Sequence, residues 1–261
     1  MYGIIFVFGL IIGSFLNVCI YRIPQGESIV SPPSHCPNCG TRLKPLDLIP
    51  LLSYLICRGK CRYCGLKISP RYLLVELLTG LVSVALFFKY GLTVDFAAFL
   101  FLTYILVAVF FIDLDHQIIP NQLVIVGLSG GVILFVYNLF LPLQIYADHS
   151  WWNPLLGLVS GSGFLLAVSL IGLAIYKGDE VMGMGDIKLF APIGLFLGWR
   201  MTLLALFLAI ILGGISSLVL ILIGKATRKS RIPFGPFIVT GVFITVMWGW
   251  DIVRWYVSTY F

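Results

Sequence analysis

The segment YGIIFVFGLIIGSFLNVCI, from Tyr2 to Ile20, contains no charged side chain. An apolar run of this length can cross a bilayer as an α-helix, in which every backbone polar group bonds within the segment. No basic residue precedes the run, and it lacks the small-residue cleavage site of a secretory signal peptide. We therefore expect it to be a retained transmembrane helix.

The composition extends this expectation to the whole chain. Of the 261 residues, 60% are hydrophobic and only 11% are charged, and the mean hydropathy is +1.04. A soluble domain of this size could not bury so much apolar surface. The sequence predicts an all-α polytopic membrane protein with about eight transmembrane helices, at residues 2–20, 71–88, 96–112, 121–142, 154–176, 187–199, 201–224 and 233–254.

The distribution of Lys and Arg predicts the orientation. If the N-terminus lies outside, the loops expected inside hold 14 of the 17 basic residues, with eight in segment 21–71 and four in segment 225–231. Cytoplasmic loops carry such an excess. Membrane topology therefore explains the net charge of +6, and we expect no nucleic-acid partner.

The sixth predicted helix, 187–199, is short, because about 13 residues rise only about 20 Å. We keep it because the later helices would otherwise invert, and the basic cluster at 225–231 would then lie outside. A tilt against protein, or a water-filled dip at its start, would compensate for its length.

Only one loop is large enough to be a domain. We divide the chain into a first transmembrane helix (1–20), a cytoplasmic zinc-knuckle domain (21–70) and a seven-helix membrane domain (71–261) that carries the candidate catalytic residues. The loop domain contains four of the six cysteines and most of the basic charge.

The cysteines of this loop form two C-x-x-C pairs, CPNCG at 36–40 and CRYCG at 61–65. A two-residue gap lets both thiolates of a pair bind one ion, and two pairs complete a tetrahedral zinc site. Disulfides are the alternative, but a loop in the reducing cytoplasm favours zinc. The predicted ligands of this structural zinc are Cys36, Cys39, Cys61 and Cys64.

Three residues near these pairs have less defined roles. His35 and Cys57 are either substitute ligands or bystanders. Cys19 lies in the first predicted helix, where we expect a small packing residue.

Two aspartates stand at the ends of apolar segments, Asp113 after the third predicted helix and Asp186 before the sixth. The predicted topology brings both to the cytoplasmic membrane face. Two carboxylates about 3 Å apart share one proton, so that one activates water while the other protonates the departing group, as in aspartic proteases. Alternatively, Asp186 is the N-cap of its helix and Asp113 a boundary acid, although an acid at a helix C-terminus is electrostatically unfavourable.

Several segments taken together resemble the type IV prepilin peptidases, bifunctional leader peptidases and N-methyltransferases of the GxGD-type membrane aspartic proteases. Besides the paired knuckles, these segments are GSFLNV at 13–18, RIP at 22–24, ISPRYLLVELLTG at 68–80, IDLDHQIIP at 112–120, EVMGMGDIKL at 180–189 and IPFGPF at 232–237.

The resemblance implies that Asp113 and Asp186 are the catalytic pair. The enzyme would cut the basic leader from type IV prepilins or type II secretion pseudopilins at the cytoplasmic face of the bacterial inner membrane. It would then methylate the new N-terminus with S-adenosylmethionine, using the N-terminal half that includes the zinc loop. No Gly-rich nucleotide fingerprint is present in the sequence, so the residues that bind S-adenosylmethionine are not predicted.

Four polar residues near these motifs have alternative roles. Glu76, deep in the second predicted helix, would either position the new amine of the pilin or pair with Arg71 or another polar group. Asn17 has the same ambiguity. Asp115 would tune the proton of the pair or sit in solvent. Lys188 would steady the charge of the pair or act as a positive-inside anchor.

Two other functions compete with this one. One is a peptidase without methyltransferase activity. The other is a zinc-stapled transporter or assembly scaffold whose aspartates bind protons or ions. Transport acids lie near mid-membrane along a pathway, whereas these aspartates lie at one edge, which favours the peptidase. The segment 232–237 would either open an entry for the substrate or simply start the last helix.

Overall fold

The structure is a computed structural model that describes residues 1–141, 146, 150–176, 183–225, 227, 230 and 232–260. The long helices are α1 (Tyr2–Arg22), α3 (Arg71–Tyr90), α4 (Val94–His116), α5 (Asn121–Phe140), α6 (Asn153–Tyr176), α7 (Met184–Leu222) and α8 (Gly235–Tyr260). A short helix, α2 (Leu52–Ile56), lies in the loop between α1 and α3. By length and composition, the seven long helices in the described residues could cross a membrane. The predicted all-α membrane fold is confirmed.

The chain forms two compact units, residues 1–96 and 97–261. In the first unit, α1 packs closely against α3 through glycines. A Cβ added to Gly13 would lie 2.7 Å from Cα of Glu76, and one added to Gly9 would lie 2.8 Å from Cα of Gly80. Small residues allow helix backbones in membranes to approach in this way. The division 1–20, 21–70 and 71–261 stays a prediction.

In the second unit, neighbouring helices show which of their ends lie together. A Cβ added to Gly127 of α5 would lie 3.0 Å from Pro192, and one added to Gly131 would lie 2.8 Å from Leu195. Residue numbers therefore increase in the same direction along α5 and along this part of α7, so the two segments are parallel. The N-termini of α5 and α7 therefore lie at the same end of the unit, as the predicted topology requires.

Helix α7 is two antiparallel arms, 184–197 and 199–222. A Cβ added to Gly161 of α6 would lie 3.1 Å from Cβ of Phe190 and 2.8 Å from Cγ2 of Thr202. Twelve residues along a straight helix would separate these positions by about 18 Å. The chain folds back at Gly198, where φ is 70° and the backbone is not helical. The two arms correspond to the predicted sixth and seventh helices.

Buried polar contacts hold the fold-back. Asn153 is only 2% exposed. Its Oδ1 accepts from the backbone N–H of Trp199 over 3.1 Å, and its Nδ2 donates to the carbonyl of Tyr146 over 3.2 Å. The hydroxyl of Tyr146 donates to the carbonyl of Leu195 over 2.6 Å. Both sides of the reversal are therefore tied to Tyr146 and to Asn153, the first residue of α6.

Two predicted helix ends are wrong, since α8 continues to Tyr260 and not 254, and α4 also ends later than expected. Hydropathy falls after Ile112, where the third helix was expected to end, but α4 continues for another turn to His116. Asp113 is therefore a residue of the last helical turn and does not follow the helix. The helix stops where Gln117 adopts a left-handed backbone with φ of 54°.

Candidate active site and metal site

Asp113 is buried, with 5% of its surface exposed. Its Oδ2 accepts a hydrogen bond of 2.8 Å from the backbone N–H of Gly235, the first residue of α8. The first N–H groups of a helix have no partner inside the helix and carry partial positive charge. A negative carboxylate at the unfavourable end of α4 is therefore compensated by the favourable end of α8.

A side chain at position 235 would displace the carboxylate of Asp113. An added Cβ would lie 2.6 Å from Oδ2 and 3.0 Å from Cγ of Asp113. The segment 232–237 thus starts the last helix, one of the two expected roles, and its Gly235 also holds Asp113. Sequence reasoning missed this contact because a backbone donor leaves no residue-type signal beyond the glycine itself.

Asp186 lies in the first turn of α7, whose N-cap residue is Gly183. No side-chain hydrogen bond caps this helix, so the interpretation of Asp186 as the N-cap is wrong. Its carboxylate is half-buried and interacts electrostatically with that of Asp113. Asp113 is in the last turn of α4, and Gly185 of α7 packs on Ile119, just after that helix. Two acids separated by 73 positions in the sequence thus lie at the same end of the second unit.

The glycines before Asp186 allow close packing. A Cβ added to Gly183 would lie 3.0 Å from Oδ2 of Asp186, and one added to Gly185 would lie 3.0 Å from Cβ of Ile119. A larger residue at position 185 would push the start of α7 away from the segment that follows α4, and one at position 183 would press on the carboxylate of Asp186. Gly185 thereby keeps the helix that carries Asp186 close to the end of α4.

The other polar residues near the pair lie outside it. Asp115 is exposed, unlike Asp113. Lys188 is exposed, and its Nζ donates to Oδ1 of Asn121 over 3.3 Å. Glu180, an acid of the motif at 180–189, lies outside the described residues.

The four predicted zinc ligands come together in the first unit. One sulfur each from Cys36, Cys39, Cys61 and Cys64 lies within 4.8 Å of the others, and the Sγ atoms of Cys36 and Cys64 are 4.0 Å apart. Zn–S bonds of about 2.3 Å in a tetrahedron require sulfurs about 3.8 Å apart. The cluster therefore fits a zinc ion after small side-chain movements. His35 and Cys57 do not belong to it.

The two knuckles share one backbone design. The N–H of Gly40 donates to the carbonyl of Cys36 over 2.9 Å, and the N–H of Gly65 donates to the carbonyl of Cys61 over the same distance. Both glycines have left-handed backbones, with φ of 68° and 71°. This turn returns the second cysteine of each pair toward the first, which places both sulfurs on one side of the loop.

The thiols are electrostatically linked. Hydrogen bonds with the side chain and the backbone of Thr41 lower the pKa of Cys39 to about 6. Backbone N–H groups of the second knuckle, first that of Cys64, lower the pKa of Cys61. Although the N–H of Leu66 acts in the opposite direction, desolvation and hydrogen bonds with the other thiols raise the pKa of Cys64 to about 11. A dication would stabilise all four thiolates together.

Comparisons with known proteins agree with this pair of sites. The model of the Bacterial Peptidase A24 N-terminal domain matches residues 7–90, and that of the Type IV leader peptidase family matches residues 100–218. A prepilin leader peptidase/N-methyltransferase of Aeromonas salmonicida (strain A449) is 36% identical over 284 residues, which cover 99% of this chain and 94% of the relative. The chain belongs to the type IV leader peptidase family.

Relatives with the same name occur in other bacteria. The one from Bacillus subtilis (strain 168) is 36% identical over 259 residues, covering 99% of this chain and 98% of the relative. The one from Pseudomonas aeruginosa is 34% identical over 273 residues, covering 96% and 91%. No solved structure matches the chain. The family resemblance predicted from the sequence motifs is confirmed.

In the part that matches the N-terminal domain of this peptidase family, Glu76 is buried between α1 and the loop. Its Oε2 accepts from the backbone N–H of Leu51 over 2.8 Å, and its carboxylate also bonds with the side chain of Ser14. Leu51 has a left-handed backbone with φ of 59°. The partners found for Glu76 are thus the loop and α1.

Asn17 lies one turn after Ser14 in α1 and is 3% exposed. Its Nδ2 donates to the carbonyl of Tyr72 over 3.0 Å. Its Oδ1 is buried, with no hydrogen-bond partner among the described residues. The side chain therefore links α1 to the start of α3 and keeps one acceptor unused.

Proposed function

We propose that this protein cleaves the basic leader peptide from type IV prepilins or pseudopilins at the cytoplasmic face of the bacterial inner membrane and then methylates the new N-terminus. Membership in the type IV leader peptidase family and the names of three nearly full-length relatives support this function. The observation that carries the peptidase half is that Asp113, in the last turn of α4, and Asp186, in the first turn of α7, lie at the same end of the second unit, where their charges interact.

In the proposed mechanism these two aspartates act as one unit that holds a single proton. Facing carboxylates do not both ionise readily, so one stays charged and the other neutral. The charged one takes a proton from a water molecule, whose oxygen attacks the carbonyl carbon of the scissile bond. The neutral one gives its proton to the departing amide nitrogen, and the peptide C–N bond breaks.

Gly235 is a positioning residue in this scheme. Its N–H donates a hydrogen bond to Oδ2 of Asp113 and holds the carboxylate in one orientation. A hydrogen bond from a donor that carries partial positive charge favours the ionised form of the acid. We therefore assign Asp113 as the carboxylate that stays charged and Asp186 as the one that carries the proton at the start of the reaction.

The four cysteines would hold a structural zinc ion. With four thiolate ligands there is no open position for water or substrate, so the ion contributes folding energy to residues 21–70. This loop contains only short helical turns between its two knuckles, which gives it little apolar core of its own. Zinc is expected to keep it folded beside α1 and α3.

S-adenosylmethionine would supply an electrophilic methyl group to the amine that cleavage releases. Glu76 is our candidate for positioning that amine, because a buried carboxylate attracts a cationic group. Its contacts with Leu51 and Ser14 place it where the loop meets α1.

The proposed orientation follows from charge. With the N-terminus outside, the zinc loop and the two aspartates lie on the cytoplasmic side, together with most basic residues. A substrate with a basic leader in the cytosol and an apolar stem in lipid would present its scissile bond at this depth. The function and the topology therefore support one another.

The test uses the purified full-length protein and a prepilin, with leader loss followed on a gel. Asp113→Asn and Asp186→Asn should each reduce cleavage at least a thousandfold and leave zinc content and the melting temperature unchanged. Asp115→Asn is the matched control, because this exposed acid lies two residues from Asp113, and it should retain cleavage. Full cleavage by either Asp113→Asn or Asp186→Asn would remove that residue from the mechanism.

A further inference from the structure

A cavity of about 470 Å³ in the first unit carries a concentrated positive charge. Its lining includes Arg58, Lys60 and Lys67 but no acid. None of the three forms an ion pair within the described residues. The volume lies within the range of small-molecule sites, which is roughly 300–1,000 Å³. Three unpaired cations around one concave surface indicate an anionic occupant.

The backbone builds this cavity from two segments. The N–H of Ile68 donates to the carbonyl of Gly59 over 2.7 Å, which joins the segment after the second knuckle to the turn before it. Lys60 and Lys67 face each other in a short antiparallel bridge. Arg58 has a left-handed backbone with φ of 50°, which glycine would adopt more easily. The turn therefore keeps three cationic side chains together despite their mutual repulsion.

The position of the cavity relative to the membrane is defined by α3. Ser69 and Pro70 line the cavity, and the membrane-spanning helix α3 begins at Arg71, the next residue. The cavity therefore lies at the depth of the lipid headgroups, within one turn of the start of a transmembrane helix.

An apolar surface lies beside the cavity. Leu52, Leu55 and Ile56 of α2 are 56%, 61% and 73% exposed. Their spacing of three and four residues places them on one helix face. Tyr54 points to the other side of the same helix, where it lines the cavity, so α2 separates the apolar face from the cavity. Exposed apolar side chains next to basic ones are typical of segments that lie on a bilayer.

We propose that the cavity formed by Arg58, Lys60 and Lys67 binds the phosphate headgroup of an anionic phospholipid, while Leu52, Leu55 and Ile56 rest among the acyl chains. Anionic lipid attracts polybasic segments next to a transmembrane helix. A basic peptide would be repelled by this cavity, which argues against the substrate leader as its occupant. The zinc loop is thus held on the membrane surface by a specific lipid.

The test measures lipid binding to the full-length zinc-loaded protein by native mass spectrometry. The probes are dihexanoylphosphatidylglycerol, dihexanoylphosphatidylcholine and inorganic phosphate. We expect the wild-type protein to bind the anionic lipid at least tenfold more tightly than the zwitterionic one, with inorganic phosphate competing only weakly. Lys60→Gln/Lys67→Gln should weaken binding of the anionic lipid about thirtyfold, the loss expected for two membrane-facing charges.

Arg42→Gln/Lys44→Gln is the matched control, since it removes two exposed charges from the same loop outside the cavity. It should change the affinity less than twofold. Equal losses in the two double variants, or a wild-type preference below twofold, would overturn the proposal. If inorganic phosphate binds as tightly as the anionic lipid, the cavity binds free anions and not a lipid headgroup, and the proposal is also overturned. If Lys60→Gln/Lys67→Gln loses zinc, Arg58→Gln decides, with an expected loss of about fivefold, and an unchanged affinity overturns the proposal.

Discussion

The backbone N–H of Gly235 donates to Oδ2 of Asp113 over 2.8 Å, so the start of the last helix holds a carboxylate from the end of α4. These residues are 122 positions apart in the sequence. The contact joins the last motif of the chain to the first acid of the pair. It makes Gly235 a residue whose replacement should affect chemistry more than folding.

Gly235→Ala should reduce the kcat of prepilin cleavage at least tenfold with a smaller change in KM. The added methyl would lie 2.6 Å from Oδ2 of Asp113 and would turn the carboxylate away from Asp186. Steady-state kinetics on purified protein check this. Gly214→Ala is the control, because nothing lies within 4 Å of a Cβ added there, and it should behave as wild type. Equal kinetics for the two variants would contradict the positioning role.

Zinc removal should unfold the loop without unfolding the membrane helices. Cys36→Ser/Cys61→Ser removes the two buried ligands, and we expect zinc content to fall from one ion per chain to nearly none. Limited proteolysis should then cut within residues 21–70, while the helical circular dichroism signal changes little. Cys57→Ser, which lies outside the cluster, should retain the metal. A stoichiometric zinc ion in the double variant would disprove the ligand assignment.

Glu76→Gln should reduce N-methylation at least tenfold while cleavage continues. The amide keeps an oxygen that can accept from the N–H of Leu51, so the loop should retain its hydrogen-exchange protection, but it loses the charge that would attract an amine. Mass spectrometry of the processed N-terminus measures methylation. Wild-type methylation in this variant would mean that Glu76 only anchors Leu51. Glu76→Ala serves as the comparison, because it removes both the hydrogen-bond acceptor for Leu51 and the negative charge.

Gly198→Ala should lower the melting temperature of the protein. Its φ of 70° is strained for a residue with a side chain, at a cost of about 1–2 kcal/mol, and a Cβ would also lie 3.1 Å from Cδ1 of Tyr146. Thermal unfolding in detergent measures the effect. Gly163→Ala, in α6, has its nearest neighbour at 3.6 Å and should change stability little. An unshifted melting temperature for Gly198→Ala would show that the fold-back tolerates a side chain.

Much of this arrangement could be predicted because membranes restrict folding to few options. Apolar runs predicted the helices, and alternation across the bilayer brought Asp113 and Asp186 to one end without knowledge of their packing. The paired spacing of the knuckles predicted the sulfur cluster directly. In each case the signal was a residue type at a fixed interval.

The missed features depend on the backbone and on exact helix ends. Hydropathy could not show that α4 continues past Ile112, because a polar residue can belong to the last turn of a helix. The donor from Gly235 is a main-chain group, and its partner is known only once the helices are assembled. The cavity formed by Arg58, Lys60 and Lys67 depends on a turn at Arg58 and Gly59, which no pattern in the sequence predicts.

The arm of α7 that carries Asp186 ends at Gly198 after 14 residues, which corresponds to about 21 Å, about 9 Å less than the hydrocarbon thickness of a typical bilayer. Most of the arm is buried against neighbouring helices, so protein, more than lipid, surrounds this short segment and accommodates the mismatch. Asp186, in its first turn, is only half-buried, which leaves the pair of acids open to water. A hydrolytic reaction can then obtain its solvent from the aqueous compartment, and the substrate stem need not leave its own leaflet.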